Sequence, residues 1–332
     1  MKAAILKKQG PVESNFLEIE EISIREPSPF EVLIKVEVCG VCHTDLHILE
    51  GDLKPPSLPL ILGHQIVGRI VKVGDSVKGF KPGDRVGVPW LHGYCGECKF
   101  CKKGLQNLCD NIEFTGFHIH GGFSEFTIAK NSAIYHLPDE ISPAHFAPIL
   151  CGGVIGYRAL KLTGLDTGGR LGLVGFGSSA HLVLQMAKYK GIETYIFSRS
   201  EHHRKHAMEL GADWAGKLGE NIGKKLDAII VFAPAGELMV ESLKYLEKGG
   251  VVVSAGIHMS QIPSFPYDLI YFERKIMSTA NSTPSDVEET IELAIKIPIK
   301  TTVKTFELKD INTALYELKY TKLTGSAVIT FD

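Results

Sequence analysis

Four cysteines fall close together as Cys95-x2-Cys98-x2-Cys101-x7-Cys109, and no other stretch limits so strongly what this chain can fold into. Thiolates at this spacing can close tetrahedrally round one zinc ion and leave no coordination position open, which describes a structural site. Gly93, Gly96 and Gly104 let the loop wrap the ion. The alternatives are weaker: crowded free thiols would be reactive, and an iron–sulfur cluster lacks a second cysteine set or an electron-transfer context. The chain has seven cysteines, an odd number, and in a reducing compartment metal ligation accounts for them better than disulfides.

The other notable stretches are Val41-Cys42-His43-Thr44-Asp45-Leu46-His47 and Leu62-Gly63-His64-Gln65. A catalytic zinc takes three ligands from separate segments, so that the fourth position stays open for substrate. Cys42 and His64 are candidates for two of them. Cys151, in Ile149-Leu150-Cys151-Gly152-Gly153, sits where two halves of the chain meet, from which it can reach a metal in a cleft, and it completes the set. Cys39 has no partner and reads as a small buried hydrophobe.

At 332 residues the chain exceeds what one hydrophobic core supports, so two domains are expected. A formal charge of -2 with 13 histidines offers no wide positive field for nucleic acid, which is not expected as a partner. The N-terminal apolar run Ala3-Ala4-Ile5-Leu6 is too short for a signal peptide, and nothing approaches the roughly 18 apolar residues of a membrane span. A cytoplasmic protein with no membrane partner is the expectation.

Residues 1 to about 90 read as β-rich, with Glu31 to Val38 and Ile66 to Val73 broken by Gly and Pro turns and with Cys42 and His64 on loops. From about residue 153 strands and helices alternate. Strands are expected at 170–174, 193–198, 226–232, 251–255 and 276–280, and helices at 182–189, 201–210 and 237–246, which makes an α/β doubly wound parallel sheet. Gly175-Phe176-Gly177-Ser178-Ser179-Ala180 lies between a strand and a helix, the context in which a G-x-G-x-x-G/A string binds a dinucleotide. Gly175 allows the tight turn, Gly177 lets backbone approach a pyrophosphate, the helix N-terminus presents unpaired N–H groups to that anion, and Ser178 is a further candidate contact. An NAD site carries an acidic residue at the end of the second strand, whereas here Ser198, Arg199 and Ser200 stand there, with Arg204 one turn further on. The absence of a carboxylate favours NADP(H) over NAD(H).

These motifs, with Val88-Pro89-Trp90-Leu91 and Ala147-Pro148-Ile149-Leu150-Cys151-Gly152-Gly153, together resemble the zinc-containing alcohol dehydrogenases of the medium-chain dehydrogenase/reductase superfamily, essentially end to end. The resemblance implies a GroES-like domain of residues 1–153 and 285–332, with a structural-zinc lobe at 93–110, and a Rossmann domain of residues 154–284. It implies two zinc ions per chain, a small-molecule alcohol or aldehyde substrate, and a homodimer or homotetramer. It assigns Cys42, His64 and Cys151 to the catalytic zinc and makes Asp45 the partner that orients His64. Thr44 and His47 become a proton relay, and His43 a neighbour of the cofactor pyrophosphate.

Three departures stand out. Gln65 replaces the glutamate that usually follows the ligand histidine, losing a charge near the metal. Gly51-Asp52-Leu53 lacks the tryptophan often found there, which would widen a pocket walled by Trp90 and Leu49. Gly325-Ser326 lacks an arginine for the pyrophosphate. His118-x-His120 and His202-His203-x2-His206 read as surface histidines, with His202 and His203 bordering a 2′-phosphate as the alternative. The reaction class expected is hydride transfer between NADP(H) and a primary or secondary alcohol, aldehyde or ketone. A polyol or sugar dehydrogenase, or a non-enzymatic zinc- and nucleotide-binding protein, is the competing reading.

Overall fold

The computed structural model describes residues 1–297, 299–320 and 323–331. The chain divides into two compact units, one of Met1–Cys151, Thr283–Ile291 and Lys300–Asp332, the other of Gly152–Ser282 and Glu292–Ile299. The stretch 292–299 thus groups with the second unit, where Lys296 lies over the Tyr189 ring at 5.4 Å. No described helix is long and apolar enough to cross a membrane.

Among the described residues, the first unit is built on a seven-stranded sheet whose central strand is Glu31–Val41. Alternation along it buries Val32, Ile34, Val36 and Val38 while Lys35 faces solvent, the period-two pattern of a strand with one face on a core. Antiparallel partners Gln65–Val73 and Ser326–Thr330 flank its C-terminal half, so C-terminal residues share the core with the strand that leads to Cys42. Cys39 is fully buried there.

The strand Glu31–Val41 runs directly into a short helix, His43–Glu50. Cys42 is its N-cap: the sulfur accepts from the Thr44 N–H at 3.4 Å, and the Asp45 carboxylate accepts from the Cys42 N–H at 2.9 Å. That reciprocal pair satisfies donors that a helix N-terminus otherwise leaves open. Leu46, Ile48 and Leu49 turn inward, and Gly51 ends the helix in the left-handed conformation. Leu49 is fully buried in this core, so it does not wall a pocket as expected.

Among its described residues, the second unit holds a six-stranded, all-parallel sheet. Its spatial order is Trp214–Gly216, Glu193–Phe197, Arg170–Val174, Leu226–Val231, Leu246–Ser254 and Lys275–Ser278. Numbered along the chain this is 3-2-1-4-5-6, the doubly wound dinucleotide order, whose direction reverses between the first and fourth strands. The near-continuous burial of Leu226–Val231 and of Val251 to Ser254 is that of strands covered on both faces. The three-residue edge strand Trp214–Gly216 was not expected from the sequence, being too short to carry a period.

One glycine binds the first unit's fold to its chemistry. Gly63 has φ +93°, and a Cβ there would lie 2.6 Å from Phe123 and 2.8 Å from the Cys39 sulfur, both fully buried. Gly63→Ala therefore combines a left-handed alanine with overpacking and should cost about 2–5 kcal/mol. A urea midpoint unchanged from the parent chain would contradict this account.

Candidate active site

Three side chains converge in the first unit: the sulfurs of Cys42 and Cys151 and an imidazole nitrogen of His64 all lie within 4.8 Å of one another. Cys42 Sγ is 3.2 Å from His64 Nε2. Each donor comes from a different segment. Cys42 caps the helix, His64 immediately precedes the strand Gln65–Val73, and Cys151 follows the 3-10 turn Ala147–Leu150, whose residues are all buried. Two thiols and an imidazole on separate elements match a three-ligand zinc site with one position left for substrate.

Asp45 joins two of those segments. It is fully buried, with Oδ2 accepting from the Cys42 N–H, Oδ1 accepting from the Gly63 N–H at 3.1 Å, and Oδ1 also 3.3 Å from His64 Nδ1. A carboxylate behind the far nitrogen fixes which imidazole nitrogen faces a metal. Burial raises the Asp45 carboxyl above its ordinary range, and His64 opposes the rise. Burial alone would lower the His64 imidazolium, but the Cys42 and Asp45 charges outweigh it and lift it to about 10. The thiols divide: a hydrogen bond from Cys151 holds Cys42 well below the usual thiol range and, with burial, pushes Cys151 well above it.

Around this set, Thr44 is buried on the first turn of the helix, and His43 is exposed beside it. His47 lies in the last turn, with Nδ1 2.8 Å from the Asp52 carboxylate. Trp90 meets the His64 ring edge to face at 4.7 Å and stacks on Phe114 at 4.8 Å, a wall of aromatic carbon beside the donors. Gln65 is buried at the start of its strand, opposite Gly40. Asp52 has no role that the sequence alone marks, because its bond to His47 depends on the turn at Gly51.

Cys95, Cys98, Cys101 and Cys109 also place their sulfurs within 4.8 Å of one another. Backbone amides of Cys95, Cys98 and Cys101 donate to the sulfurs of Cys109, Cys95 and Cys98, each at 3.4 Å. Such amides favour thiolates: the Cys101 N–H brings Cys98 down to about 6, while burial lifts Cys101 to about 12. Four thiol donors wrapped by their own backbone fit a closed zinc site. His118 and His120 have a different use, their Nδ1 atoms accepting from the N–H groups of Phe114 and Ile61.

In the second unit the loop after the first strand has the form a dinucleotide requires. Gly175 has φ +86° and packs against Ala233 in the loop after the fourth strand, at the point where sheet order reverses. Gly177 faces open space where a Cβ would stand, and the helix Ser178–Tyr189 has no side-chain cap on its first amides and no acidic residue in its first turn. A helix start capped by a glycine with no side chain suits an approaching phosphate. At the end of the second strand Ser198 is buried and Arg199 exposed, while Ser200 caps the next helix by accepting from the His203 N–H. Arg204 Nη1 donates to the carbonyls of Ser198 and Arg199 at 2.8 and 2.9 Å, bracing the loop.

A two-domain dehydrogenase architecture with cysteine and histidine metal-donor sets is thus defined by the fold and site together. The model of the alcohol dehydrogenase GroES-like domain matches residues 28–139, and that of the zinc-binding dehydrogenase matches residues 179–296. A probable alcohol dehydrogenase of Mycobacterium tuberculosis is 39% identical over 99% of this chain and 97% of its own. Among solved structures, a cinnamyl alcohol dehydrogenase of Sorghum bicolor is similar at TM-score 0.89 and 27% identity, covering 98% of this chain and 97% of its own. The CAD of Helicobacter pylori, in complex with NADP(H), is similar at TM-score 0.88 and 26% identity, covering 99% of both chains. The chain belongs to the zinc-containing alcohol dehydrogenases of the medium-chain dehydrogenase/reductase superfamily, NAD(P)-dependent oxidoreductases.

The protonation pattern of Cys42, His64 and Cys151 has a measurable consequence. A metal must displace protons from His64 and Cys151, so zinc affinity should rise with pH across the neutral range and binding should release protons. Calorimetric titration of the metal-stripped protein with zinc, in two buffers of different ionisation enthalpy, checks this. Equal apparent enthalpies would contradict it.

Proposed function

We propose that this enzyme moves hydride between NADP(H) and a primary or secondary alcohol or the corresponding aldehyde or ketone. Cys42, His64 and Cys151 hold a catalytic zinc, and Cys95, Cys98, Cys101 and Cys109 a structural one. The observation that carries this reading is the convergence of the three donors from separate segments, with Asp45 behind His64. When bound, the zinc acts as a Lewis acid toward a substrate oxygen, and the dinucleotide carries the hydride. Thr44 takes a proton from, or returns it to, the substrate hydroxyl, and His47 exchanges it with solvent, a step suited to imidazole near neutral pH. Gly175, Gly177 and Ser178 would cradle the cofactor pyrophosphate.

The preference for NADP(H) rests on Ser198, Arg199 and Ser200, with Arg204 bracing their backbone and no carboxylate among them. The Helicobacter pylori relative's complex with NADP(H) is in keeping with it. A polyol or sugar dehydrogenase is the weaker reading, because the carboxylate beside the donors, Asp45, is engaged by two backbone amides. A homodimer or homotetramer is supported by the exposed edge strand Lys275–Ser278 and by Tyr267, Tyr271 and Phe272, exposed just before it.

The decisive experiment is kcat/KM for an aldehyde and ketone panel with both cofactors. NADPH should exceed NADH, and Arg199→Ala should lower the NADPH value about 10- to 100-fold while leaving NADH nearly unchanged. A higher kcat/KM with NADH would overturn the cofactor assignment. A second variant addresses the missing carboxylate: Gln65→Glu adds a buried negative charge one residue from His64 and should change kcat several-fold, with its pH midpoint moved upward. Unchanged kcat and pH dependence would remove Gln65 from the reaction.

A further inference from the structure

We propose that His181 and His206 are positioning residues for the dinucleotide. They hold the glycine loop and the loop of Ser198, Arg199 and Ser200 at one fixed separation, so that pyrophosphate and 2′-phosphate are met together. The inference rests on the NADP(H) reading of those loops. His181 lies near the start of the helix Ser178–Tyr189 and is 2% exposed. Its Nδ1 is 3.3 Å from the Gly177 carbonyl oxygen, an atom that only accepts, so Nδ1 carries the hydrogen. The main-chain N–H of His181 donates to the same carbonyl at 3.2 Å. Bonded twice from within the helix, that carbonyl points along the helix axis. A trans peptide sets its C=O and N–H in opposite directions, so the other side of the same peptide, Ser178 N–H, is aimed out of the helix start. His181 thus fixes the peptide at which the glycine loop becomes a helix.

His206 sits on the helix Glu201–Glu209, whose N-cap is Ser200. Its ring centre is 6.2 Å from that of His181 and 6.1 Å from that of Phe176, which it meets edge to face. Phe176 is buried and stands in the chain between Gly175 and Gly177. Three rings therefore pack together from the glycine loop, the helix after it and the helix after the second strand. Arg204, on the same helix as His206, donates to the carbonyls of Ser198 and Arg199, so a shift of His206 would carry that loop with it. Space filling alone does not account for a histidine at 181. Its Nε2 is buried with no hydrogen-bond partner among the described residues, a cost that leucine would avoid. The Nδ1 donor offsets that cost. Burial also brings the His181 imidazole down to about 4, so at neutral pH the ring is uncharged and keeps one tautomer.

The test is the dissociation constants of NADPH and NADH, read from nucleotide fluorescence on the zinc-loaded enzyme without substrate. His181→Leu should weaken both about 10-fold, since the pyrophosphate is common to the two. His181→Asn, whose amide can stand where Nδ1–H stands, should remain within about twofold of the parent. His181→Gln, with its amide at the Nε2 end, should follow Leu, and it carries the test if the Leu variant does not fold. KM for the cofactor should rise with the dissociation constant while kcat stays within about threefold. His206→Ala should weaken NADPH about 5- to 10-fold and NADH less than about twofold, and His206→Phe, which keeps the ring, should restore the parent value. In an Arg199→Ala background the effect of His206→Ala on NADPH should disappear, because no cation remains to read the separation of the loops. Equal affinities in the Leu, Asn and Gln variants overturn the role of His181. A His206→Ala loss that adds in full to that of Arg199→Ala, or that falls equally on NADH, overturns the role of His206. A parent that binds NADH more tightly than NADPH overturns the NADP(H) reading and the role of His206 with it, and His181 is then judged on NADH alone.

Discussion

The carboxylate of Asp45 is the contact on which the first unit's chemistry depends. A buried charge is costly unless its lone pairs are met, and here they are met by the Cys42 N–H, the Gly63 N–H and the neighbouring His64 ring. The same atoms close the helix N-terminus, bring the two ligand-bearing segments together and orient the imidazole. Packing supplies the frame, since strands Glu31–Val41 and Gln65–Val73 pair antiparallel and end beside each other at Gly40 and Gln65. The carboxylate then turns proximity into a defined arrangement of donors.

The second unit reaches its order by other means. Strands buried on both faces and helices of ordinary amphipathic pattern make a parallel sheet, and the reversal of strand order opens a place for a ligand between the first and fourth strands. Gly175 and Gly177 serve this place in opposite ways, one by packing against Ala233 and the other by leaving its flank bare. Arg204 spends donors on the loop carbonyls, so part of its positive charge is already committed to holding Ser198 and Arg199. Arg199 remains the exposed cation of that loop.

Much of this was legible in the residues. The sheet class followed from the change of period near residue 153, and five of its six strands were placed by runs of apolar residues. The four-cysteine spacing and the glycine loop have local signatures, so their positions could be read directly. What escaped had no periodic signal. The helix His43–Glu50 is short, and it is capped by a cysteine rather than by the serine, threonine, aspartate or asparagine that usually announces a start. Leu49 looked like pocket lining until the helix turned it into the core, and His118 and His120 proved to be acceptors for backbone amides. The partnership of His47 with Asp52 depends on a chain reversal whose geometry no residue type alone encodes.

The cap made by Cys42 leads one step further. Its sulfur is both the acceptor that starts the helix and a donor of the metal set, and the amide that caps also favours the thiolate. The same bond thus serves the first helical turn and the charge state of the sulfur. Thr44 and His47 ride on the same helix, so the groups proposed to handle protons share one short element with the sulfur proposed to hold the metal.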